Sequence, residues 1–304
     1  MKEIVVISGK GGTGKTSITA SLAALAQSAV VADCDVDAAD LHLLLKPKIE
    51  TTANFSGGKK ARVITDKCIG CGKCLEVCNF DAPKLDGPAN DIIQKTYTID
   101  PVSCEGCSVC VEFCPEKAIE FEDVINGQWF ISDTRFGPMV HARLGIAEEN
   151  SGKLVTLVRK EGKRIATEQY KEFIIVDGSP GIGCPVIASI TGADLALIVT
   201  EPTMSALHDL DRIAELAGHF NIPAVVCVNK YDINPQLADT IEKDAKAKNL
   251  KVVSRIPYDT QVTKAQLEAK TIVEYGRGPV KTQIESLWRS ILRVLSDKNK
   301  GENL

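Results

Sequence analysis

Two groups of residues in this 304-residue chain have the types and spacing to do chemistry. The first is Gly9-Lys10-Gly11-Gly12-Thr13-Gly14-Lys15-Thr16, which fits G-x-x-x-x-G-K-[ST]. Glycines let such a loop turn its N–H groups inward around phosphate oxygens, and a following helix adds the partial positive charge of its N-terminus. Lys15 is expected to reach the β- and γ-phosphates and Thr16 to offer its hydroxyl to Mg²⁺. The run Gly9 to Ser17 is therefore the candidate nucleotide-binding segment. The second group is eight of the eleven cysteines, all between Cys68 and Cys114. In a reducing compartment such a cluster points to metal binding rather than to disulfides.

The elements that must carry these groups follow from the hydrophobic pattern. Glu3 to Ser8 and Ala29 to Asp33 are short apolar runs that predict buried parallel strands, with a helix over Lys15 to Gln27 between them. Asp37 to Leu45 predicts a short helix, and the polar, glycine-rich stretch Asn54 to Lys60 a boundary. Further strands are expected at Phe173 to Asp177, Leu195 to Thr200 and Ala224 to Asn229. Helices are expected at Ala206 to His219 and Pro235 to Lys248. This alternation implies a parallel sheet covered by helices. The cysteine-rich stretch breaks the rhythm and repeats internally. Cys68 and Cys104 stand 36 residues apart, as do Cys78 and Cys114. Each cysteine group follows a strand-like run, Ala61 to Thr65 and Thr96 to Ile99. The reading is an α/β P-loop NTPase domain, residues 1–60 and 124–304, interrupted by a small α+β insert at 61–123. Gly127 to Lys163 carries no clear pattern.

Composition narrows the function classes. The 36 basic and 40 acidic side chains give a formal net charge of −4, which speaks against nucleic acid as the main partner. No run approaches the ~18–20 apolar residues that span a bilayer, and Met1-Lys2-Glu3-Ile4 does not open a signal peptide, so a cytoplasmic location is expected. The C-terminal positions Ile284, Leu287, Trp288, Ile291, Leu292 and Leu295 have helical spacing. They predict a last packing helix of the core rather than a membrane anchor. Cys34 and Cys227 lie in apolar runs and are expected to be core residues.

The second lysine of the loop, Lys10, makes the segment resemble the deviant Walker A loop of the MinD/ParA/Mrp family of ATPases, which includes the nitrogenase iron protein. The resemblance implies an ATP-sandwich dimer, with itself or a paralogue, in which Lys10 reaches the partner's nucleotide. Asp33-Cys34-Asp35 resembles switch I, with Asp35 orienting the attacking water and Asp33 as the alternative. Asp177-Gly178-Ser179-Pro180-Gly181 resembles Walker B with switch II, with Asp177 holding Mg²⁺. Lys10, Lys15, Asp35 and Asp177 are thus the candidate catalytic set. Val199 to Thr203 resembles the family strand end that precedes a helix. Asn229-Lys230-Tyr231-Asp232 reads N-K-x-D, a guanine-recognition pattern, but also resembles the base-contact segment of MinD-like ATPases. Pro257-Tyr258-Asp259 resembles the loop beside adenine. The loop favours ATP, and GTP stays open.

The runs Cys68-x2-Cys71-x2-Cys74-x3-Cys78 and Cys104-x2-Cys107-x2-Cys110-x3-Cys114-Pro115 resemble the bacterial two-cluster ferredoxins, whose fourth cysteine ligates the other cluster. The resemblance implies one [4Fe–4S] site on Cys68, Cys71, Cys74 and Cys114, and another on Cys104, Cys107, Cys110 and Cys78. Asn79 stands where the pattern has proline. Two zinc Cys₄ sites are the alternative. Cys184 lies seven residues after Asp177, where the nitrogenase iron protein has a bridging-cluster ligand. Asn150 and Lys153 fall in the other segment of that region, so Cys184, Asn150 and Lys153 form a candidate face for a partner or metal cargo. The implied function is a slow, partner-regulated ATPase that couples the nucleotide state of a dimer to metal-cluster assembly, to cluster carriage, or to electron transfer with a redox partner. The alternative is a MinD-like positioning or partitioning ATPase with a structural insert.

Overall fold

A computed structural model describes residues 1–145 and 151–301, with side chains to 297. The chain opens with β1 (Lys2–Ser8), α1 (Lys15–Ala26), β2 (Ala29–Asp33), α2 (Leu41–Leu45) and the long β3 (Lys48–Val63). The cysteine-rich stretch holds α3 (Lys73–Glu76), β4 (Pro83–Lys84), β5 (Thr98–Ile99) and α4 (Val109–Glu112). Then come β6 (Ile119–Thr134), β7 (Gly137–Leu144), α5 (Ser151–Glu168), β8 (Phe173–Pro180), α6 (Cys184–Ile190), β9 (Leu195–Thr200) and α7 (Met204–His219). The chain closes with β10 (Ala224–Asn229), α8 (Pro235–Ala247), β11 (Lys251–Ile256), α9 (Thr260–Leu267), α10 (Ile272–Tyr275) and α11 (Pro279–Gly301).

The chain divides into two compact units. The larger holds Met1–Ala53, Trp129–Leu144 and Ser151–Leu304. Its sheet runs β11-β10-β9-β1-β8-β2-β7, with each neighbouring pair parallel. The order continues through β6 and β3, whose residues are shared between the units. β1, β8 and β9 are buried along almost their whole length, which explains their continuous apolar runs. α11 buries Ile284, Leu287, Trp288, Ile291 and Leu295 in the same core as Ile4, Leu22 and Leu197, as its spacing predicts.

A buried ion pair ties the helices to the first strand. Arg159 on α5 donates from Nε and Nη2 to Glu3 at 2.8 and 2.6 Å, and from Nη1 to the carbonyls of Ala188 and Thr191. Lys163 adds a second cation to Glu3 at 2.9 Å.

The smaller unit comprises Asn54–Gln128 and Gly145 among the described residues. The stretch Asn54 to Lys60, the expected boundary, lies inside β3, and the smaller unit begins at its first residue. Its polar, glycine-rich composition fits a strand here because Gly57 N–H donates to Asn126 Oδ1 at 2.8 Å, a side-chain partner that composition does not reveal. Compact packing thus begins at 54 and ends at 128, outside the 61–123 drawn from composition. Gly127 to Lys163, patternless in sequence, contributes the end of β6, all of β7 and the start of α5. The expected helix at Asp37 is confined to Leu41–Leu45.

Candidate functional site

The loop between β1 and α1 has the strand-loop-helix setting that its motif requires. Gly14 sits at φ 88°, and a Cβ there would lie 2.4 Å from Asn229 Nδ2, so only glycine fits. Asn229, at the end of β10, donates that amide to the carbonyl of Thr13 at 2.7 Å. It therefore braces the loop.

The start of α1, the end of β2 and the strand β8 bring the charged groups together. Lys15 Nζ lies 2.8 Å from Asp177 Oδ1 and 3.2 Å from Asp35 Oδ2. Burial opposes the charge on Lys15, but Asp177 and Asp35 outweigh it and raise its pKa above the ordinary lysine value. Thr19, one helical turn after Lys15, donates to the same Asp177 oxygen at 2.9 Å. Asp33 is fully buried, and burial, reinforced by Asp177, holds its carboxyl well above the usual range. Asp35 is raised chiefly by burial, against the pull of Lys15. The second oxygens of Asp33 and Asp177 are buried without a hydrogen-bond partner. One ammonium among three carboxylates leaves negative charge and lone pairs suited to a further cation. Mg²⁺ commonly takes one or two carboxylates and completes its shell with water and phosphate oxygens.

Lys10 is held within its own chain. Its Nζ lies 2.9 Å from Glu201 Oε1 and 3.0 Å from Thr203 Oγ1, which also caps α7. Lys230 Nζ approaches the other oxygen of Glu201 at 3.0 Å and donates to the carbonyl of Gly12 at 2.8 Å.

Beside the loop lies a cleft of about 260 Å³, lined by Gly12, Ser17, Asn229, Pro257, Val262 and Gln266 among others. Its walls mix apolar side chains with polar groups, the character of a ligand site. Tyr258 and Asp259 also line it, and Asp259 caps α9 by accepting from Gln261 N–H at 2.8 Å. Asp232, the acidic residue of N-K-x-D, accepts instead from Tyr258 N–H at 2.6 Å. One of its carboxylate oxygens is thus held by the protein backbone. Ser17 Oγ accepts from Gln266 Nε2 at 2.8 Å, which ties α9 to α1.

The sequence missed Thr19 and Gln266, and the partners of Glu201. Thr19 had a legible signal, a hydroxyl one turn beyond Lys15 on an otherwise alanine- and leucine-rich helix. The pairing of Glu201 with Lys10 and Lys230 has no local signal.

In the smaller unit, Cys68, Cys71, Cys74 and Cys114 line one pocket with Val63, Tyr97 and Ile119. Burial pushes the Cys74 thiol up to about 11, with Cys110, Cys68 and Cys71 adding to the effect. Cys110 is raised by burial and then by Cys104, Cys107 and Cys78. Gly106 turns at φ 65° with its α-carbon so close to the carbonyl of Lys59 that a Cβ would lie 2.3 Å from it. Among the described residues, no three His, Cys, Asp or Glu side chains converge on a single-ion site.

Cys184 is exposed at the start of α6, and a Cβ on Gly152 would lie 3.4 Å from its Cβ. The starts of α5 and α6 are therefore adjacent. Lys153 is exposed on α5, and Asn150 lies outside the described residues. Cys34 and Cys227 are buried, and burial pushes the Cys227 thiol up to about 12, as expected of core positions.

Residues 4–272 match the CobQ/CobB/MinD/ParA nucleotide binding domain family. The protein MJ0578 of Methanocaldococcus jannaschii is 37% identical over 236 residues, spanning 76% of this chain and 79% of its own. A second protein of that organism, MJ0579, is 26% identical over 307 residues, spanning 91% and 93%. Among solved structures, the septum site-determining protein MinD of Pyrococcus horikoshii OT3 complexed with Mg-ADP shares the fold. Its TM-score is 0.56 at 16% identity, covering 95% of each chain. With a phosphate-type loop, a parallel sheet and the family match over most of its length, the chain belongs to the CobQ/CobB/MinD/ParA family of nucleotide-binding proteins.

Proposed function

We propose that the protein is a MinD/ParA-type ATPase that binds Mg-ATP at the β1–α1 loop and hydrolyses it slowly as a dimer, with itself or a paralogue. The observation that carries this reading is Lys15, held by Asp177 and Asp35 at the mouth of the loop beside the base-sized cleft. Lys15 is poised to exchange its carboxylate partners for the β- and γ-phosphates. Thr16, with Asp177 and its water shell, would hold Mg²⁺, which offsets charge on the phosphates during transfer. Asp35, released from Lys15, orients the attacking water. Asn229, Pro257 and Gln266 face the base. The resemblance of the loop favours ATP, with GTP as the minority reading. Turnover of Mg-ATP and Mg-GTP by the wild type and by Lys15→Ala tests the assignment. The account expects ATP turnover that the variant loses, and equal rates in both proteins would overturn it.

The finer reading is that residues 61–123 form a ferredoxin-like insert carrying two [4Fe–4S] clusters. Cys68, Cys71, Cys74 and Cys114 would hold one, and Cys104, Cys107, Cys110 and Cys78 the other. The support is the shared pocket of the first four thiols and the grouping of Cys110 with Cys104, Cys107 and Cys78. A zinc ion draws four thiolates to about 2.3 Å from one centre. Two zinc Cys₄ sites are the alternative, and metal analysis separates the two readings. Bound clusters would supply low-potential one-electron chemistry. Nucleotide state would then be coupled to electron transfer or to cluster carriage, with Cys184 and Lys153 on the face presented to the partner. The MinD-like positioning reading, with a purely structural insert, has the support of the relatives and the fold. ATP-dependent reduction of, or cluster transfer to, an acceptor protein separates the two.

A further inference from the structure

The dimer reading requires Lys10 to leave its own chain and reach a partner's nucleotide, yet Lys10 is already engaged. Its ammonium is shared between Glu201 Oε1 at 2.9 Å and Thr203 Oγ1 at 3.0 Å. Glu201 lies at the end of β9, with 15% of its side chain exposed, whereas Lys10 is 31% exposed. A carboxylate this sheltered is costly to leave without a cation. Here it would not be left so, because Lys230 Nζ sits on Oε2 at 3.0 Å. Burial acts to raise the Glu201 pKa, but hydrogen bonds from Lys10 and Lys230 outweigh it and hold the carboxylate ionised. Lys230 is itself fixed by the carbonyl of Gly12 at 2.8 Å, inside the phosphate loop.

We propose that Glu201 is the positioning residue for Lys10: it parks the lysine in its own chain, and Lys230 stands as the second cation that lets Lys10 depart without stranding Glu201. This rests on the reading of Lys10 as the residue that crosses the dimer. The arrangement sets a threshold for assembly. A subunit must exchange the Glu201 and Thr203 contacts of Lys10 for contacts in the partner before the sandwich closes. Removing the parking site favours the dimer, because the competent conformation is populated more in the free subunit. Removing Lys230 opposes it, because Lys10 becomes the sole cation on Glu201.

The test is the monomer–dimer dissociation constant of the full-length protein by sedimentation, at saturating Mg²⁺ and a non-hydrolysable ATP analogue. Saturation removes any change in nucleotide affinity from the comparison. Partly exposed ion pairs are modest in strength, so the expected effect is small but directional. Glu201→Gln should lower the constant roughly twofold to fivefold, and Lys230→Met should raise it by a similar factor. Damage to the site would weaken the dimer in both variants, so opposite signs carry the proposal. Unchanged constants, or weakening in both, overturn the role of Glu201 while leaving the dimer reading intact. A wild type that stays monomeric under these conditions overturns the dimer reading and this proposal together.

Discussion

Asp177 gathers the loop lysine and a helix hydroxyl on one carboxylate. One of its oxygens accepts from both Lys15 and Thr19, and the other is buried without a partner. Lys15→Ala removes the only cation within reach of that oxygen in the described contacts and the group aimed at the phosphates. ATP turnover should fall at least about a hundredfold, the usual cost of losing one preorganised charge stabiliser. Iron content should not change, and turnover measured alongside iron analysis checks both halves. Thr19→Val removes one of the donors that orient Asp177, and a smaller loss, roughly tenfold, is expected in the same assay. The loop, Asp35 and Asp177 were legible in the sequence because strand ends and glycines announce where a chain must turn toward phosphate. Glu201 was visible as a residue but not as a partner, since its contacts come from positions 10 and 230, joined only by the sheet order.

At the scale of elements, the buried strands and α11 follow from hydrophobic pattern, and their energetics can be tested directly. Leu287 is fully buried on α11. Leu287→Ala should cost about 2–5 kcal/mol in denaturant unfolding, as core truncations do. A change under ~0.5 kcal/mol would mark α11 as a surface helix. Arg159→Met leaves Glu3 buried with, among the described residues, only the half-exposed Lys163 as its cation. Breaking a buried pair from one side typically costs about 3–5 kcal/mol, and the same unfolding measurement reads it.

The segment 127–163 resisted reading because its polar residues are paired across β6 and β7. His141 Nε2 and Ser132 Oγ lie 2.9 Å apart, and the ring stacks on Phe130. Burial, with His42 nearby, lowers the His141 pKa from 6.5 to about 4. The unfolded chain therefore binds this proton more readily than the folded one. The contribution is whole above pH ~6.5 and is lost as the pH falls from there toward 4. Thermal unfolding between these limits should fall more steeply for the wild type than for His141→Gln.

Over the whole molecule, the chain combines a family ATPase unit with a cysteine-rich unit, and no helix among the described residues is long and apolar enough to cross a membrane. The extent of the second unit was only partly readable. Cysteine spacing marked the stretch, but β3 and β6 run past the compositional edges, because a strand can tolerate glycine where its neighbours supply hydrogen bonds. The reading of those cysteines decides whether the protein couples ATP to iron–sulfur chemistry or only to positioning. The most direct measurement is iron and acid-labile sulfide per chain after anaerobic purification, with EPR of the reduced protein. The account predicts about eight of each, as two [4Fe–4S] clusters require, and signals of reduced cubanes. Stoichiometric zinc, or protein that holds neither iron nor sulfide under those conditions, would contradict it.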